Sequence, residues 1–154
     1  HSFPTRRSSD LAMLRLSTRA SDGKANLHQG AVGVGLDIGT GKSLNAVQFN
    51  RPVILHPDTG LPLENIAIED WQTMLDMAAR CYEATGLGYM GVDLVLDANQ
   101  GPLLLELNAR PGLAIQMANG RGLLPRLRHL EALKRPHFSP GERVRYVMES
   151  LAAL

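Results

Sequence analysis

The stretch "DLVLDANQGPLLLELN", Asp93 to Asn108, decides the fold of this chain. Two apolar runs flank a polar turn that contains glycine, which is the pattern of a β-hairpin. Acidic and carboxamide side chains interrupt both runs. If the hairpin is centred between Asn99 and Gln100, Asp93 stands directly opposite Glu106, because the two positions are equally far from the centre.

Alternation along the second strand separates its side chains into two faces. Glu106 and Asn108 point one way, together with Leu104, and the remaining leucines are expected to bury on the other face. Asp93 would join the two polar residues from across the hairpin, since directly opposed Cβ atoms lie about 5 Å apart. The leucines expected to bury are Leu103, Leu105 and Leu107.

Two opposed carboxylates repel each other, so this pattern indicates a cation. Oxygen ligands without histidine or cysteine suit Mg²⁺ or Mn²⁺, which take one or two carboxylates and complete their shell with water and substrate phosphates. Asp93, Glu106 and Asn108 are therefore the predicted metal ligands. Two alternatives stay open: a solvated face of a two-sided sheet, and a one-residue slip in register that would turn Asp93 to the other face.

Composition restricts the class of protein. The 154 residues are 44% hydrophobic and 20% charged, which is enough for one buried core. Because 16 basic residues nearly balance 15 acidic ones, no overall field recruits nucleic acid or an anionic membrane. A single cysteine, Cys81, excludes an internal disulfide and fits a reducing compartment. With no long apolar run and no leader pattern, a soluble cytoplasmic protein is expected.

Upstream of the hairpin, strand patterns alternate with loops. A strand is predicted over 12–16, a polar loop over 17–30, and a second hairpin over 31–37 and 44–49 around "IGTGK". The GKS in this turn suggests a phosphate loop, but Leu36 stands where that motif requires glycine, so a plain turn is predicted. Proline residues are then expected to break regular structure through about Leu63. These are Pro52, Pro57 and Pro62.

Apolar residues spaced three and four apart predict a helix over 69–85 that ends at Gly86. Cys81 lies at the edge of its apolar face and is expected to be packed rather than reactive. The two strands of the central hairpin are predicted over 89–96 and 103–107. Further helices are predicted over 113–118, 123–133 and 142–154. The predicted class is α+β, with an antiparallel sheet packed against helices.

Two motifs resemble one family. "GVDLVLDANQGPLLLELNARPG" looks like the metal-binding end of the ATP-grasp ligases, in which an Asp on one strand and a Glu-x-Asn on the next hold magnesium. Upstream, "RLSTRASDGKANLHQGA" resembles the Arg and "N-L-x-x-G" segment of the ribosomal-protein glutamate ligases and, more distantly, glutathione synthetase. The chain is similar above all to the alpha-L-glutamate ligase-like proteins, and the resemblance covers residues 12–133.

The resemblance implies the C-terminal lobe of an ATP-grasp fold and a two-step ligation. A substrate carboxylate attacks the γ-phosphate of ATP, and an amine then displaces phosphate from the acyl phosphate to form an amide. ATP and Mg²⁺ (or Mn²⁺) are the implied cofactors, with Asp93, Glu106 and Asn108 as the metal ligands. The implied partners are small-molecule or peptide carboxylate and amine substrates, with glutamate as a family label.

The same resemblance suggests roles for basic and polar residues. Arg15 would be catalytic, contacting the γ-phosphate or the tetrahedral intermediate, and Asn26 would lie beside the phosphates. Lys24 and His28 are further cofactor-binding candidates. Arg110 could bind a substrate carboxylate through two parallel hydrogen bonds. The alternative for the upstream residues is a solvated loop, with the histidine a bystander.

The ends of the chain raise a separate hypothesis. Residues 1–11, "HSFPTRRSSDL", lack both periodicities and match the translation of a common sequencing adapter, so we expect a non-native tail there. The predicted ATP-grasp lobe covers 12–135 and a helical tail covers 136–154. The family's nucleotide lysines, adenine-contacting hinge and first lobe are not recognisable. The chain is therefore expected to be an inactive C-terminal fragment whose missing partner is the nucleotide lobe of the same protein.

Two other functions are open from the sequence. The first is a non-catalytic nucleotide-binding or scaffolding relative, against which the intact metal oxygens argue. The second is an RNA-binding module that uses a local basic set, although a solvated helix face is the commoner explanation of such a run. Neither a membrane nor a nucleic acid is the favoured partner. The basic set is Arg121, Arg126, Arg128, Lys134 and Arg135.

Overall fold

The structure, a computed structural model, describes residues 11–133 and 138–152. These residues form two compact units. The sheet unit comprises Leu11–Ile68 and Gly112–Leu123, and the hairpin unit comprises Glu69–Pro111 with the described part of Leu124–Leu154. Antiparallel strands and helices make up the chain, so the predicted α+β class is confirmed.

The predicted domain boundaries stay predictions. The division into a lobe over 12–135 and a tail over 136–154 was drawn from family resemblance, whereas the two units follow the contacts of the described chain. The proposed adapter-derived tail, apart from its last residue, lies outside the described residues.

Six strands and four α-helices are present in the described part of the chain. The strands are β1 (Ala12–Leu16), β2 (Val32–Leu36), β3 (Ser43–Gln48), β4 (Arg51–Val53), β5 (Gly91–Asp97) and β6 (Gly101–Asn108). The helices are α1 (Trp71–Thr85), α2 (Ala114–Asn119), α3 (Leu124–Ala132) and α4 (Pro140–Tyr146). Among the described residues no helix has the length and apolar character needed to cross a bilayer.

The sheet unit contains four antiparallel strands in the order β1-β2-β3-β4. The strand predicted over 12–16 and the hairpin that follows it are confirmed. The "IGTGK" segment is the β2–β3 turn, in which the Asp37 carboxylate accepts hydrogen bonds from the Thr40 amide and hydroxyl. That carboxylate is used by the turn itself, in agreement with the prediction of a plain turn.

Strand β2, "VGVGL", has two different faces because valine and glycine alternate along it. Val32 and Val34 bury fully and pack with Ala46 and Leu63 to form the core. The glycine face lies against α2. A Cβ built on Gly35 would stand 2.4 Å from the carbonyl oxygen of Ala118, so only glycine allows the helix to come this close.

Pro52 does not interrupt the sheet, so the prediction of no regular structure after the second hairpin was wrong. It lies in β4, in register with Val47 of β3. Strand β4 is at the edge of the sheet. A proline is tolerated there because an edge strand pairs on one side only, so its missing N–H need not break the hydrogen bonding of the sheet. A further isolated bridge joins Leu55 and Pro62.

The hairpin unit begins with α1, which ends as predicted at Gly86 in the left-handed conformation. The last helix differs from the single helix predicted over 142–154. A capping box at Ser139 and Glu142 begins α4 at Pro140, and a π-helical turn, Val147–Leu151, follows it. Ser and Glu three residues apart are the usual signal of such a cap. Because the prediction relied on the apolar run and not on this signal, it placed the start of the helix too late.

Arg143 connects α4 to α1 from a buried position, with 3% of its surface exposed. Its Nη2 donates to both Glu83 carboxylate oxygens at 2.6 and 2.8 Å and to the Ala79 carbonyl oxygen at 2.8 Å.

Cys81 is also buried, and its thiol donates to the Met77 carbonyl oxygen. Burial, and secondarily the Glu83 charge, raise the pKa of Cys81, which agrees with the packed role predicted for it.

The two partners of the Arg143–Glu83 ion pair should respond differently to substitution. Glu83→Ala leaves a buried guanidinium without its counter-ion and should cost about 2 kcal/mol of unfolding free energy. Arg143→Met removes the buried charge and keeps apolar contact, and Glu83, whose side chain is 46% exposed, can be hydrated. We therefore expect a cost of about 1 kcal/mol for the arginine variant. Urea unfolding of both variants measures this, and an equal or larger loss for Arg143→Met would contradict the reasoning.

Candidate functional site

The predicted metal ligands lie on the open end of the β5–β6 hairpin. Asp93 is paired directly with Glu106, and Gly91 is paired directly with Asn108. Because paired residues of antiparallel strands share a face, and residues two apart on one strand share it too, all four positions are on one side of the hairpin. The predicted pairing of the two carboxylates is confirmed.

The centre of the hairpin, however, is at Asn99 and not between Asn99 and Gln100. Near the turn, Asp97 pairs with Gly101, and this register continues to Leu94 and Leu104 before it shifts. Leu105 is the extra residue of a β-bulge. The bulge adds one position to β6, and this addition brings Glu106 opposite Asp93.

The bulge also overturns the predicted burial of the leucines. Leu103 and Leu107 lie on opposite faces, because the shift in register falls between them. Leu105 is 68% exposed, the most exposed leucine of the run. Leu104, expected on the carboxylate face, lies on the other face. The polar set keeps its common face because its members lie on the same side of the bulge.

The donor atoms differ in their surroundings. Asp93 is half-buried, whereas Glu106 and Asn108 are exposed. The Asn108 side-chain oxygen accepts a hydrogen bond of 2.9 Å from the Arg110 amide, which orients the carboxamide. A Cβ on Gly91 would stand 3.0 Å from the Pro111 Cβ and 3.6 Å from the Asn108 Cβ, so the bare glycine leaves room beside the donors.

This donor set fits a hard divalent cation that binds together with a phosphate ligand. Among the described residues, no three His, Cys, Asp or Glu side chains are grouped closely enough to hold a metal by themselves. Two carboxylates and a carboxamide are too few for a cage made of protein alone. They match Mg²⁺ or Mn²⁺, which complete their shell with water and phosphate oxygens.

Asp97, the other carboxylate of β5, has a different role. Its oxygen accepts hydrogen bonds from the amides of Asn99 at 2.8 Å and Gln100 at 2.9 Å. These two bonds favour the ionised form and lower the pKa of Asp97. The Asp97 carboxylate therefore stabilises the turn and lies at the opposite end of the strand from Asp93.

In the sheet unit, Arg15 and the 3₁₀ turn next to the other candidate phosphate-binding residues lie on the glycine face of β2. Arg15 on β1 is exposed and pairs with Gly33. A Cβ on Gly33 would stand 2.7 Å from the Leu27 side chain, so the absence of a side chain there makes room for Leu27. Leu27 begins a 3₁₀ turn, Leu27–Gln29, and this turn therefore lies on the same face as Arg15.

The other upstream candidates surround this turn. Asn26 caps it by accepting a hydrogen bond of 3.0 Å from the His28 amide. His28 is exposed. Lys24 is exposed as well, and its ammonium lies 3.6 Å from the Asp22 carboxylate. Arg15 and this turn thus share a face.

The loop over 17–30 is better ordered than its polar sequence suggested. Thr18 and Ser21 are buried and exchange hydrogen bonds through their hydroxyls and amides. The Gly30 carbonyl oxygen accepts hydrogen bonds from the Thr18 hydroxyl and from the Gln48 side-chain Nε2, both at 2.8 Å. Sequence reasoning missed these three residues. A Thr and a Ser three positions apart are a known signal of a side-chain turn, whereas nothing local identified Gln48.

Among the described members of the basic set, one is not available to contact RNA. Arg126 is buried, with 3% of its surface exposed. Arg121 and Arg128 are exposed, and Lys134 and Arg135 lie outside the described residues. Charge reversal at Arg126 would therefore test packing before it tested nucleic-acid binding.

Comparison with known proteins finds two relatives that each match part of the chain. Two probable alpha-L-glutamate ligases of Stenotrophomonas maltophilia match the chain: the protein of strain K279a is 45% identical and that of strain R551-3 is 44% identical, each over 62 residues. Each match covers 39% of this chain and 21% of the relative, so the chain spans only part of their length. No solved structure matches.

One family model covers most of the chain. It is described as sugar-transfer associated ATP-grasp and matches residues 6–132, a range that includes both the β1 arginine and the hairpin carboxylates. By this match, the chain belongs to the sugar-transfer associated ATP-grasp family.

Proposed function

We propose that this chain carries metal-binding and phosphate-binding residues of an ATP-dependent carboxylate–amine ligase. Membership of the ATP-grasp family and the partial likeness to two probable alpha-L-glutamate ligases support the reaction class. The observation that carries the proposal is the pairing of Asp93 with Glu106 on the same face as Asn108. A pair of opposed carboxylates is unfavourable unless a cation offsets it.

In this proposal Asp93, Glu106 and Asn108 hold Mg²⁺ or Mn²⁺. The bound ion would supply positive charge against the phosphates of ATP, which is the main need of phosphoryl transfer. Arg15 stabilises the negative charge that develops on the γ-phosphoryl group or on the tetrahedral intermediate. Asn26, Lys24 and His28 hold phosphate oxygens through their polar groups.

The proposed reaction joins a carboxylate to an amine. The carboxylate oxygen forms a bond to the γ-phosphorus as the bond to ADP breaks, and the amine nitrogen then displaces phosphate from the acyl carbon. Arg110, exposed after β6, has the planar pair of donors that suits a substrate carboxylate. The two relatives are called probable alpha-L-glutamate ligases, which makes glutamate the first substrate to test. A cytoplasmic location, where ATP is available, is part of the proposal.

The proposal is tested with the complete protein that contains this chain and with the chain alone. ADP and phosphate release are measured with pools of amino acids, with and without Mg²⁺ or Mn²⁺. We expect metal-dependent turnover by the complete protein, and weak ATP binding without turnover by the chain. Metal-dependent ATP binding by the complete protein without ADP release would favour a non-catalytic nucleotide-binding function. Robust turnover by the chain would contradict the proposal that it is inactive alone.

A further inference from the structure

The loop over 17–30 is held from outside by a residue in an unfavourable conformation. Phe49 and Asn50 form the two-residue turn between β3 and β4, and both have positive φ, +48° and +61°. Such turns favour Asn and Gly, and a bulky aromatic residue at positive φ is an outlier. Phe49 is also 58% exposed, so core burial does not explain its presence.

The Phe49 ring lies directly over the end of the loop. A Cβ built on Gly30 would stand 2.6 Å from Phe49 Cζ and 3.0 Å from the Ala20 Cβ. Gly30 itself has φ +104°, so the ring covers a backbone position that only glycine adopts readily. The ring thus closes over the final part of the loop, and the Ala20 side chain lies beside the same Gly30 position.

The proline-containing segment after β4 holds the start of the same loop. One Asp58 carboxylate oxygen accepts a hydrogen bond of 2.7 Å from the Arg19 amide. His56 Nε2 lies 3.1 Å from the Ser17 carbonyl oxygen and must donate, because a carbonyl only accepts. Its Nδ1 accepts from the Asp58 amide at 3.3 Å, which connects the two contacts.

We propose that Phe49 and Asp58 are positioning residues for the loop that bears Lys24, Asn26 and His28. This inference rests on the proposed function, in which that loop holds phosphate. When a loop is already ordered before binding, less of the binding free energy is lost in ordering it, so the apparent affinity for the phosphate ligand is higher. The backbone strain at Phe49 is then the cost of a contact that keeps the loop in its binding conformation.

The test uses Phe49→Asn, because asparagine suits the turn but lacks the ring. We expect an unchanged or higher melting temperature, faster amide hydrogen exchange over 17–30, and about tenfold weaker MgATP binding by the complete protein, as follows if the competent loop population falls to about a tenth. A role in fold stability alone would instead lower the melting temperature. Phe49→Tyr keeps the ring and should behave as wild type.

Asp58 gives an independent second variant. Asp58→Ala should speed amide exchange at the start of the loop and weaken MgATP binding. Asp58→Asn keeps an acceptor oxygen, so its exchange rate and its MgATP affinity should be closer to those of the wild type. Ile54→Asn is the matched control for Phe49→Asn. Ile54 is 81% exposed in the same unit, and its substitution removes an apolar side chain outside the contact with the loop.

The outcomes separate this inference from the proposed function. Unchanged exchange over 17–30 in both Phe49→Asn and Asp58→Ala would overturn the positioning role. Exchange that rises and affinity that falls only in step with a falling melting temperature would overturn it too. Faster exchange in a complete protein that binds no MgATP would support the control of the loop while overturning the proposed function. Faster exchange with weaker MgATP binding at an undiminished melting temperature supports both.

Discussion

Glu106→Gln in the complete protein should lower the apparent affinity for Mg²⁺, and with it ATP-dependent turnover, about a hundredfold or more. Glutamine keeps the size of the side chain and removes the charge, so Asp93 remains as the one carboxylate of the pair. Glu106 is exposed, and the fold should therefore be little affected. Without divalent ions, the loss of repulsion across the hairpin should leave the unfolding free energy unchanged or slightly higher.

The matched control for this variant is Asp97→Asn. It removes the same charge from the same hairpin, roughly 13 Å along β5 from Asp93 at about 3.3 Å per residue. Asparagine keeps the oxygen that accepts from the turn amides, so the hairpin should persist. Isothermal titration with Mn²⁺ in the presence of ATP compares the two. Equal affinities for Glu106→Gln and Asp97→Asn would rule out a metal held by the carboxylate pair.

Gly35→Ala should destabilise the sheet unit by about 3 kcal/mol or more. The added Cβ would meet backbone atoms of α2, namely the Ala118 oxygen at 2.4 Å and the Asn119 Cα at 2.9 Å, and backbone cannot turn aside as a side chain can. The helix must then lift. Lifting would break the hydrogen bond of 2.9 Å from the buried Asn119 side chain to the Ala12 carbonyl oxygen.

Gly112→Ala is the control for this second variant. It is the same chemical change in the same unit, but nothing lies within 4 Å of the added Cβ. Urea unfolding should leave the control close to wild type and shift the midpoint of Gly35→Ala strongly downwards. Similar midpoints for the two variants would mean that α2 does not lie in close contact with β2.

The pairing of the candidate metal ligands was predictable because its geometry is local. Asp93 and Glu106 are joined by one short hairpin, so counting positions from the turn was enough to pair them. The count succeeded although its centre was misplaced, because the bulge at Leu105 supplied the missing position. A bulge has no reliable sequence signal in a run of leucines, and the burial predicted for that run failed for the same reason.

The loop over 17–30 shows where local reasoning ends. Its polar sequence predicted a loop, and that was correct, but the residues that order it come from β3, the β3–β4 turn and the segment after β4. Gln48, Phe49 and Asp58 lie 18 or more residues along the chain from their partners in the loop. No periodicity relates positions so far apart in the chain.

The sequence by itself determined the elements whose signals repeat within a few residues: the two hairpins, helix α1 with its glycine end, the α+β class and the facing carboxylates. Only the tertiary structure decided that α2 lies on the glycine face of β2, that Arg143 is buried against α1, and that Phe49 covers the end of the loop over 17–30. The physical reason is the range of the forces involved. Backbone hydrogen bonding and side-chain alternation act between near neighbours, whereas close packing and the pairing of buried polar groups join whatever residues the folded chain brings into contact.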